Sequence, residues 1–590
     1  MSLDDLRAVP EKGKTGDLRA LDVTLLAFAV VIGLLAGVGA LAFRSLIELF
    51  HFLFWASGGS FAEQVAATPW WLRLCIPALG GLVAGPVITF WAPEARGPGV
   101  PEVIVSVTSG QSTIRHRVTF LKGFVTSLLL GTGASVGREG PIVQIGASVG
   151  SSLAQLFKIR PELRRLCLAC GAAAGISATF NAPIAGSIFA MEIILMNIEV
   201  SFISHIVVAS ITGSVLSRIF WGEFPVFQAV PFVLESYWEL LLYLGLGLAA
   251  GLVSIVFVRL IYGLDTGFQG IKLPEWCKPA IGGLALGSMA LAVPQVLGVG
   301  YDTVNAALTG SLTLSLALIL LAGKILATSL CIGSGMSGGI FAPSLFVGAV
   351  LGTAVGLGAM QVWPGDTLHP SFFALAGMGA VVSGTTLAPI TAIMTIFELT
   401  LQYQIILPLM LACISSTLVV RFLFGFSAYE MKLLRRGVNI VRGHDVGVLR
   451  SLLVRDFMRR DFVSVPEDLP LKDLYAKLLE ASYPHFVVLN ASGQLSGVVS
   501  FRDLRRVLPN LEELESSMTT ADIMTSQVIT LWAQDNLERA LHLFEEQRIS
   551  FVPVLASGEQ GTVAGIMTKD DLLSAYDQKV LKDRVLSGRP

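Results

Sequence analysis

The pentapeptide Gly137-Arg138-Glu139-Gly140-Pro141 sets an arginine and a glutamate inside a long apolar stretch, bracketed by two glycines and a proline. A proline just after a glycine fits the first turn of a helix, where its missing N–H costs nothing. The neighbouring backbone N–H groups are then free to face an anion, and Glu139 stands where that anion would stand. Ionisable groups at such a depth are expensive and normally functional. The plainer alternative is that Arg138 and Glu139 form a buried ion pair in a packed bundle. The six cysteines, at 75, 167, 170, 277, 331 and 413, offer no metal spacing beyond Cys167-Leu-Ala-Cys170 and suit small core residues.

The elements that must position this stretch follow from composition. A chain of 590 residues with 53% hydrophobic and only 14% charged residues, and a mean hydropathy of +0.70, is far from the charged share of a soluble domain. It reads as a multi-spanning membrane protein, which excludes most enzyme classes; no catalytic residues, no metal and no nucleic-acid partner are expected. Sixty glycines agree, because glycine lets membrane helices approach closely. The first twenty residues are polar, with no apolar run ending at a cleavage site, so residues 1–20 are expected to be a cytoplasmic segment.

Clear apolar spans run over 23–43, 74–91, 202–220, 240–258, 280–296, 312–322 and 405–420. Between them lie stretches interrupted by Gly, Pro, Ser and Asn, at 120–134, 142–157, 166–180, 184–196, 341–357 and 372–399. Irregular backbone at membrane depth is tolerated only where it lines a buried or watery site, so the transport pathway is expected in these segments. An internal repeat supports that placing. Gly171–Glu192 and Gly377–Glu398 both run from a glycine through Ala-Pro to a glutamate, 206 positions apart, while Pro141 and Pro343 lie 202 positions apart. Two such halves predict inverted repeats around a site near the midplane.

Four ordered motifs then resemble the CLC family of chloride channels and proton-coupled anion exchangers. They are Gly97-Pro98-Gly99-Val100-Pro101-Glu102, the pentapeptide at 137–141, Gly339-Ile340-Phe341-Ala342-Pro343, and Tyr429 after the last apolar span. The resemblance covers about residues 20–440 and implies an all-α multi-spanning domain of inverted repeats with broken helices. It also implies a homodimer in a lipid bilayer, with one pore in each subunit. By the family pattern the anion is held by backbone N–H groups of Ile340 and Phe341 and the hydroxyl of Tyr429. Gly97, Pro98, Gly99, Arg138, Gly140 and Ala342 complete the site, and Glu139 is gate and proton acceptor. Backbone amides suit this task because they hold an anion without a fixed full charge that would trap it.

Two positions depart from the pattern. Chloride-selective members carry Ser at the second place of the first motif; this chain has Pro98, which brings no donor, as do the family's plant nitrate–proton exchangers. Chloride and nitrate therefore both stand as substrates. Well-known exchangers place a second acidic residue after the repeat's glutamate, where this chain has Ile193 after Glu192. Glu192 is a candidate for an internal proton path, with a structural role as its alternative. Proton-coupled exchange is the leading expectation and a passive, Glu139-gated anion channel the alternative. A non-transporting membrane sensor is set aside, since pathway motifs have no use in one.

From about Val438 the composition turns charged and mixed, and the tail is doubled. Two units, about 451–510 and 517–580 within a 441–590 domain, resemble CBS modules. The resemblance implies a cytoplasmic α/β pair that can take an adenine nucleotide, with Ser500, Asp503, Thr568 and Asp571 at the ribose-contacting spacing. A plain helix cap explains the same four residues. No cofactor is required, and the protein is expected in the cell membrane, the inner membrane if the source is bacterial.

Overall fold

The computed structural model describes residues 15–55, 58–108, 112–196, 200–222, 227, 230–232, 234, 236–362 and 368–436, then 449, 452–480, 485–500, 503, 518–547, 549–556, 561–572 and 574–575. Most of the segment expected at 1–20, and the boundary at 440/441, lie outside these residues. The chain divides into two compact units, Met1–Ile440 and Val441–Pro590.

The regular elements of the first unit are all helices. Its helices are α1 (Thr15–Phe54), α2 (Phe61–Ala67), α3 (Trp70–Pro86), α4 (Val100–Thr108), α5 (Arg117–Gly131), α6 (Glu139–Leu156), α7 (Pro161–Phe180), α8 (Pro183–Phe189) and α9 (Val200–Trp221). Then follow α10 (Leu240–Gly270), α11 (Lys278–Ala292), α12 (Tyr301–Leu308), α13 (Leu314–Gly333), α14 (Phe341–Ala359), α15 (Pro370–Thr386), α16 (Pro389–Thr400), α17 (Ile406–Leu423) and α18 (Ala428–Arg435). Among the described residues seven helices are long and apolar enough to cross a bilayer.

Most segments expected to be broken are continuous: α5, α6, α7 and α14 run without interruption for 15 to 20 residues. Their glycines serve packing instead. A methyl group on Gly146 of α6 would strike the Gly171 carbonyl of α7, and one on Gly348 of α14 would strike that of Gly377 on α15. The true breaks come just before Ala-Pro, where Asn181 and Leu387 take left-handed backbone at φ 57° and 54°. Each break reorients a short helix, α8 or α16.

The repeat is visible in reciprocal contacts. Thr126 hydrogen-bonds Ser337 at 2.7 Å, and their counterparts 202 positions away, Thr328 and Ser135, do so at 3.3 Å. Gly137 and Gly339, also 202 apart, exchange N–H···O bonds of 2.7 Å in both directions across a local antiparallel bridge. The two halves thus meet head to head, as an inverted pair requires.

The second unit holds two three-stranded sheets. In the first, β1 (Ser464–Pro466) runs parallel to β2 (His485–Leu489), which pairs antiparallel with β3 (Leu495–Ser500). In the second, β4 (Leu531–Trp532), β5 (Phe551–Leu555) and β6 (Val563–Thr568) repeat that order. Apolar helix faces at Leu471–Glu480 and Leu537–Glu546 cover the sheets. Leu449, Leu452 and Val454 pack into the second module's core and Met518, Ile523 and Met524 against the first, so the modules exchange leading segments.

Candidate anion-binding site

Helices α6 and α14 begin at the Gly137–Gly339 bridge, so their N-termini face one small region. There the first turn of each helix leaves backbone N–H groups without helical partners, with the positive ends of both dipoles turned inward. Glu139 is 1% exposed and reaches across from α6: its Oε2 accepts the Ala342 N–H of α14 at 3.2 Å. Its Oε1 accepts the Tyr301 hydroxyl of α12 at 3.3 Å. The carboxylate thus occupies a backbone N–H in the first turn of α14.

The other residues singled out from the sequence gather around this point. Gly97 and Gly99 have φ of 75° and 84°, which lets the loop through Pro98 fold tightly against α6. A methyl on Gly140 would collide with the Pro98 carbonyl oxygen, and one on Gly99 would lie 2.8 Å from that of Gly140. The loop is tied to α14's lead-in by Gly97 N–H to Met336 O at 3.1 Å and Gly338 N–H to Gly97 O at 3.3 Å. Ile340 and Phe341 are 1% and 2% exposed at the start of α14. Tyr429 is 2% exposed, the second residue of α18.

Arg138 does not form the ion pair with Glu139 that was the plainer alternative. Its guanidinium donates to Thr179 O at 3.4 Å and lies 5.1 Å from the Tyr301 ring centroid. A cavity of about 220 Å³, lined by Arg44, Glu48, His51, Arg138, Tyr301 and Asp302, opens beside it. A second cavity of about 240 Å³ abuts Gly97 and Pro98 and is lined by Arg96, Lys432, Arg435 and Arg436, with Asp265 among them.

Glu192 lies elsewhere, at the junction of α8 and α16. Its carboxylate accepts the Ile390 and Thr391 N–H groups at 3.3 and 2.7 Å and the Thr391 hydroxyl at 2.6 Å. Glu398 does the same in reverse, accepting Ile184 and Ala185 N–H groups at 3.0 and 2.6 Å. Each glutamate caps the other half's short helix. Ile193 beside it is 4% exposed.

Two fully buried lysines escaped the motif reading. Lys122 Nζ donates to Ala95 O and Gly97 O at 2.7 and 2.8 Å; Lys324, 202 positions on, donates to Val296 O and Gly298 O at 3.2 and 2.7 Å. They clamp equivalent loops, since Gly298 and Gly300 repeat the positive φ of Gly97 and Gly99. The sequence signal was present: a lysine in each of two apolar spans at the repeat's own offset. Tyr301 was missed as well, because it opens a short helix with no charge pattern.

In the second unit Ser500 and Thr568 each donate hydroxyl and backbone N–H to the carboxylate three residues on. For Asp503 the distances are 2.6 and 2.9 Å, and for Asp571 2.6 and 3.1 Å. The Asp571 N–H returns a bond to Thr568 Oγ1 at 3.2 Å, completing a capping box, and Arg459 pairs with Asp571 at 2.5 Å.

Comparison with known proteins agrees with this architecture. The family model described as voltage gated chloride channel matches residues 80–421, and the CBS domain model matches 454–510 and 521–578. A ClcB-like chloride channel protein of Ralstonia nicotianae is 36% identical over 425 residues, covering 71% of this chain and 98% of that one. The H(+)/Cl(-) exchange transporter ClcA of Salmonella agona is 34% identical over 445 residues, covering 73% and 91%. Among solved structures, a slow cyanobacterial Cl-/H+ antiporter superposes with a TM-score of 0.64 at 27% identity, over 70% of this chain and 97% of the other. A eukaryotic CLC transporter, 19% identical, shares the fold over 93% of this chain and 98% of its own length, with a TM-score of 0.65. These are transport proteins rather than enzymes. Inverted helical halves meeting at two inward helix N-termini, a doubled strand-helix tail and these matches together make the chain a multi-pass membrane member of the CLC family, carrying a C-terminal pair of CBS domains.

Proposed function

We propose that the chain moves chloride, nitrate or both across the membrane through a path gated by Glu139, in exchange for protons. The observation that carries this is the Glu139 carboxylate seated on the Ala342 N–H between two helix N-termini. Ionised, it competes with an anion for that donor; protonated, it loses the attraction and can leave. The same group is then gate and proton carrier. Relatives named as H(+)/Cl(-) exchange transporters, and a similar structure described as a Cl-/H+ antiporter, support exchange over passive flow.

Gly97, Pro98, Gly99, Gly140, Ile340, Phe341, Ala342 and Tyr429 form the anion path in this reading, and Arg138 supplies positive potential beside it. Pro98 gives the loop no side-chain donor, which favours an anion less dependent on a hydroxyl than chloride is in Ser-bearing members. Because Glu192 is committed to capping α16, water delivers protons to Glu139 from the inner side. The second reading, a passive channel, draws on the buried Ile193 at the inner proton position.

The assembly proposed is a homodimer in the cell membrane, with apolar faces of α9 and α17, including Ile211, Val215, Met410 and Ile414, turned to partner or lipid. The CBS pair is cytoplasmic in this reading, and an adenine nucleotide is its candidate ligand. Among the described residues Arg459 pairs with Asp571 and no arginine pairs with Asp503, which makes Asp503 the better ribose acceptor in this reading. The test is reconstitution in liposomes, following pH while a chloride or nitrate gradient drives flux. Uphill proton movement establishes exchange; anion flux with no proton movement at any pH makes the protein a channel.

A further inference from the structure

We propose that Tyr301 is a positioning residue for the gate. Its hydroxyl holds the Glu139 carboxylate in the anion position and sets the pH at which that carboxylate leaves. This rests on Glu139 being the gate, as proposed above.

The hydroxyl is placed with care by the fold. Tyr301 is the first residue of α12, the counterpart of α4 in the other half, and it follows Gly300 at φ 88°. The loop ahead of it is clamped from below, where Lys324 donates to the Val296 and Gly298 carbonyls. A methyl on Gly300 would sit 2.5 Å from the Phe346 ring, so the backbone there has no slack. The Tyr301 ring is fixed in turn: Phe227 meets it edge-on at 5.2 Å and 86°, and the Arg138 guanidinium lies near its face. What remains free to choose a partner is the hydroxyl, and it points at Glu139 Oε1.

The carboxylate has few partners to share. Arg138 on its own loop, Tyr301 on α12 and Tyr429 on α18 are the charged or titratable groups that act on it, while α14 offers a backbone N–H. The cavity that Tyr301 lines adds Arg44, Glu48 and His51 from α1 and Asp302 from α12. A hydroxyl can donate to a carboxylate in one orientation and accept from a carboxylic acid in another, so Tyr301 can follow Glu139 through protonation. Donation to the ionised form favours it, which delays protonation to lower pH.

The experiment measures anion efflux against pH for the full-length protein in liposomes, in four forms: wild type, Tyr301→Phe, Glu139→Ala and the double variant. Losing one charge-assisted donor should move the half-maximal pH of Tyr301→Phe upward by about one unit, with little change in maximal flux. On the Glu139→Ala background the same change should do nothing. A ring-fluorinated tyrosine at 301, a stronger donor, should move the midpoint downward, which separates hydrogen bonding from packing. An unmoved or lowered midpoint in Tyr301→Phe overturns the inference, as does an equal effect with Glu139 absent. If Glu139→Ala alone keeps the full pH dependence, the gate reading fails first and this one with it.

Discussion

Two of the junctions at which the halves of the membrane unit meet across their pseudo-two-fold relation differ in one respect. At the α8–α16 junction both halves keep a carboxylate, Glu192 and Glu398, and each caps the opposite helix. At the α6–α14 junction only one half has it: Glu139 stands opposite Phe341, its equivalent 202 positions on. Where the pair is kept, each carboxylate is held by two or three donors as short as 2.6 Å, which is the geometry of a fixed cap. Glu139 takes longer bonds from the two other elements that reach it, 3.2 Å from α14 and 3.3 Å from α12. In the proposed reading the looser carboxylate is the one that leaves, and an anion takes the donors it vacates.

The comparison breaks most visibly at Glu139. Glu139→Gln should leave anion flux in place while proton movement and its pH dependence vanish, because the carboxylate that takes and gives up the proton is gone. Uphill proton transport surviving in that variant would end the distinction between the two junctions.

Glu192→Gln and Glu398→Gln sharpen it. Each should lower stability by about 1 kcal/mol, the worth of a charged cap, with Glu192→Gln the larger because Glu192 also accepts the Thr391 hydroxyl. Thermal unfolding in detergent reads this, and proton-to-anion stoichiometry should stay at the wild-type value in both. A stoichiometry that falls in Glu192→Gln alone would make Glu192 a proton carrier and not a cap.

The smallest expected effect lies on the anion side of the asymmetric junction. Pro98→Ser places a hydroxyl against the site and should shift the chloride-to-nitrate flux ratio toward chloride by about five-fold, the equivalent of one net hydrogen bond. Equal ratios in both proteins would remove Pro98 from selectivity.

Much of this was legible from residues alone. Hydropathy placed six of the seven long helices, because a bilayer leaves a chain few ways to satisfy its backbone; the seventh, Phe341–Ala359, was expected to be interrupted, and the span expected at 280–296 is the 15-residue α11. The 202 and 206 offsets announced the doubling, and the glycine-proline motifs marked the helix starts. Glycine was misjudged: in α5, α6, α7 and α14 it permits close crossing and breaks nothing, and a sequence does not show whether a neighbouring backbone is near. Ser500–Asp503 and Thr568–Asp571 have a spacing that suits ribose or a cap, and the reciprocal capping bonds are closed at Thr568–Asp571.

The sequence by itself determined that this is a membrane protein of two repeated halves with a doubled, more charged tail, because apolar length, period and self-similarity are properties of the chain read in order. Only the tertiary structure decided which charges act together. Glu139 and Tyr301 are 162 positions apart, and Glu192 lies 198 from Ile390, so no local pattern could pair them. At burial this deep each carboxylate takes whatever donors the opposite half brings within reach, and the crossing of helices sets that reach.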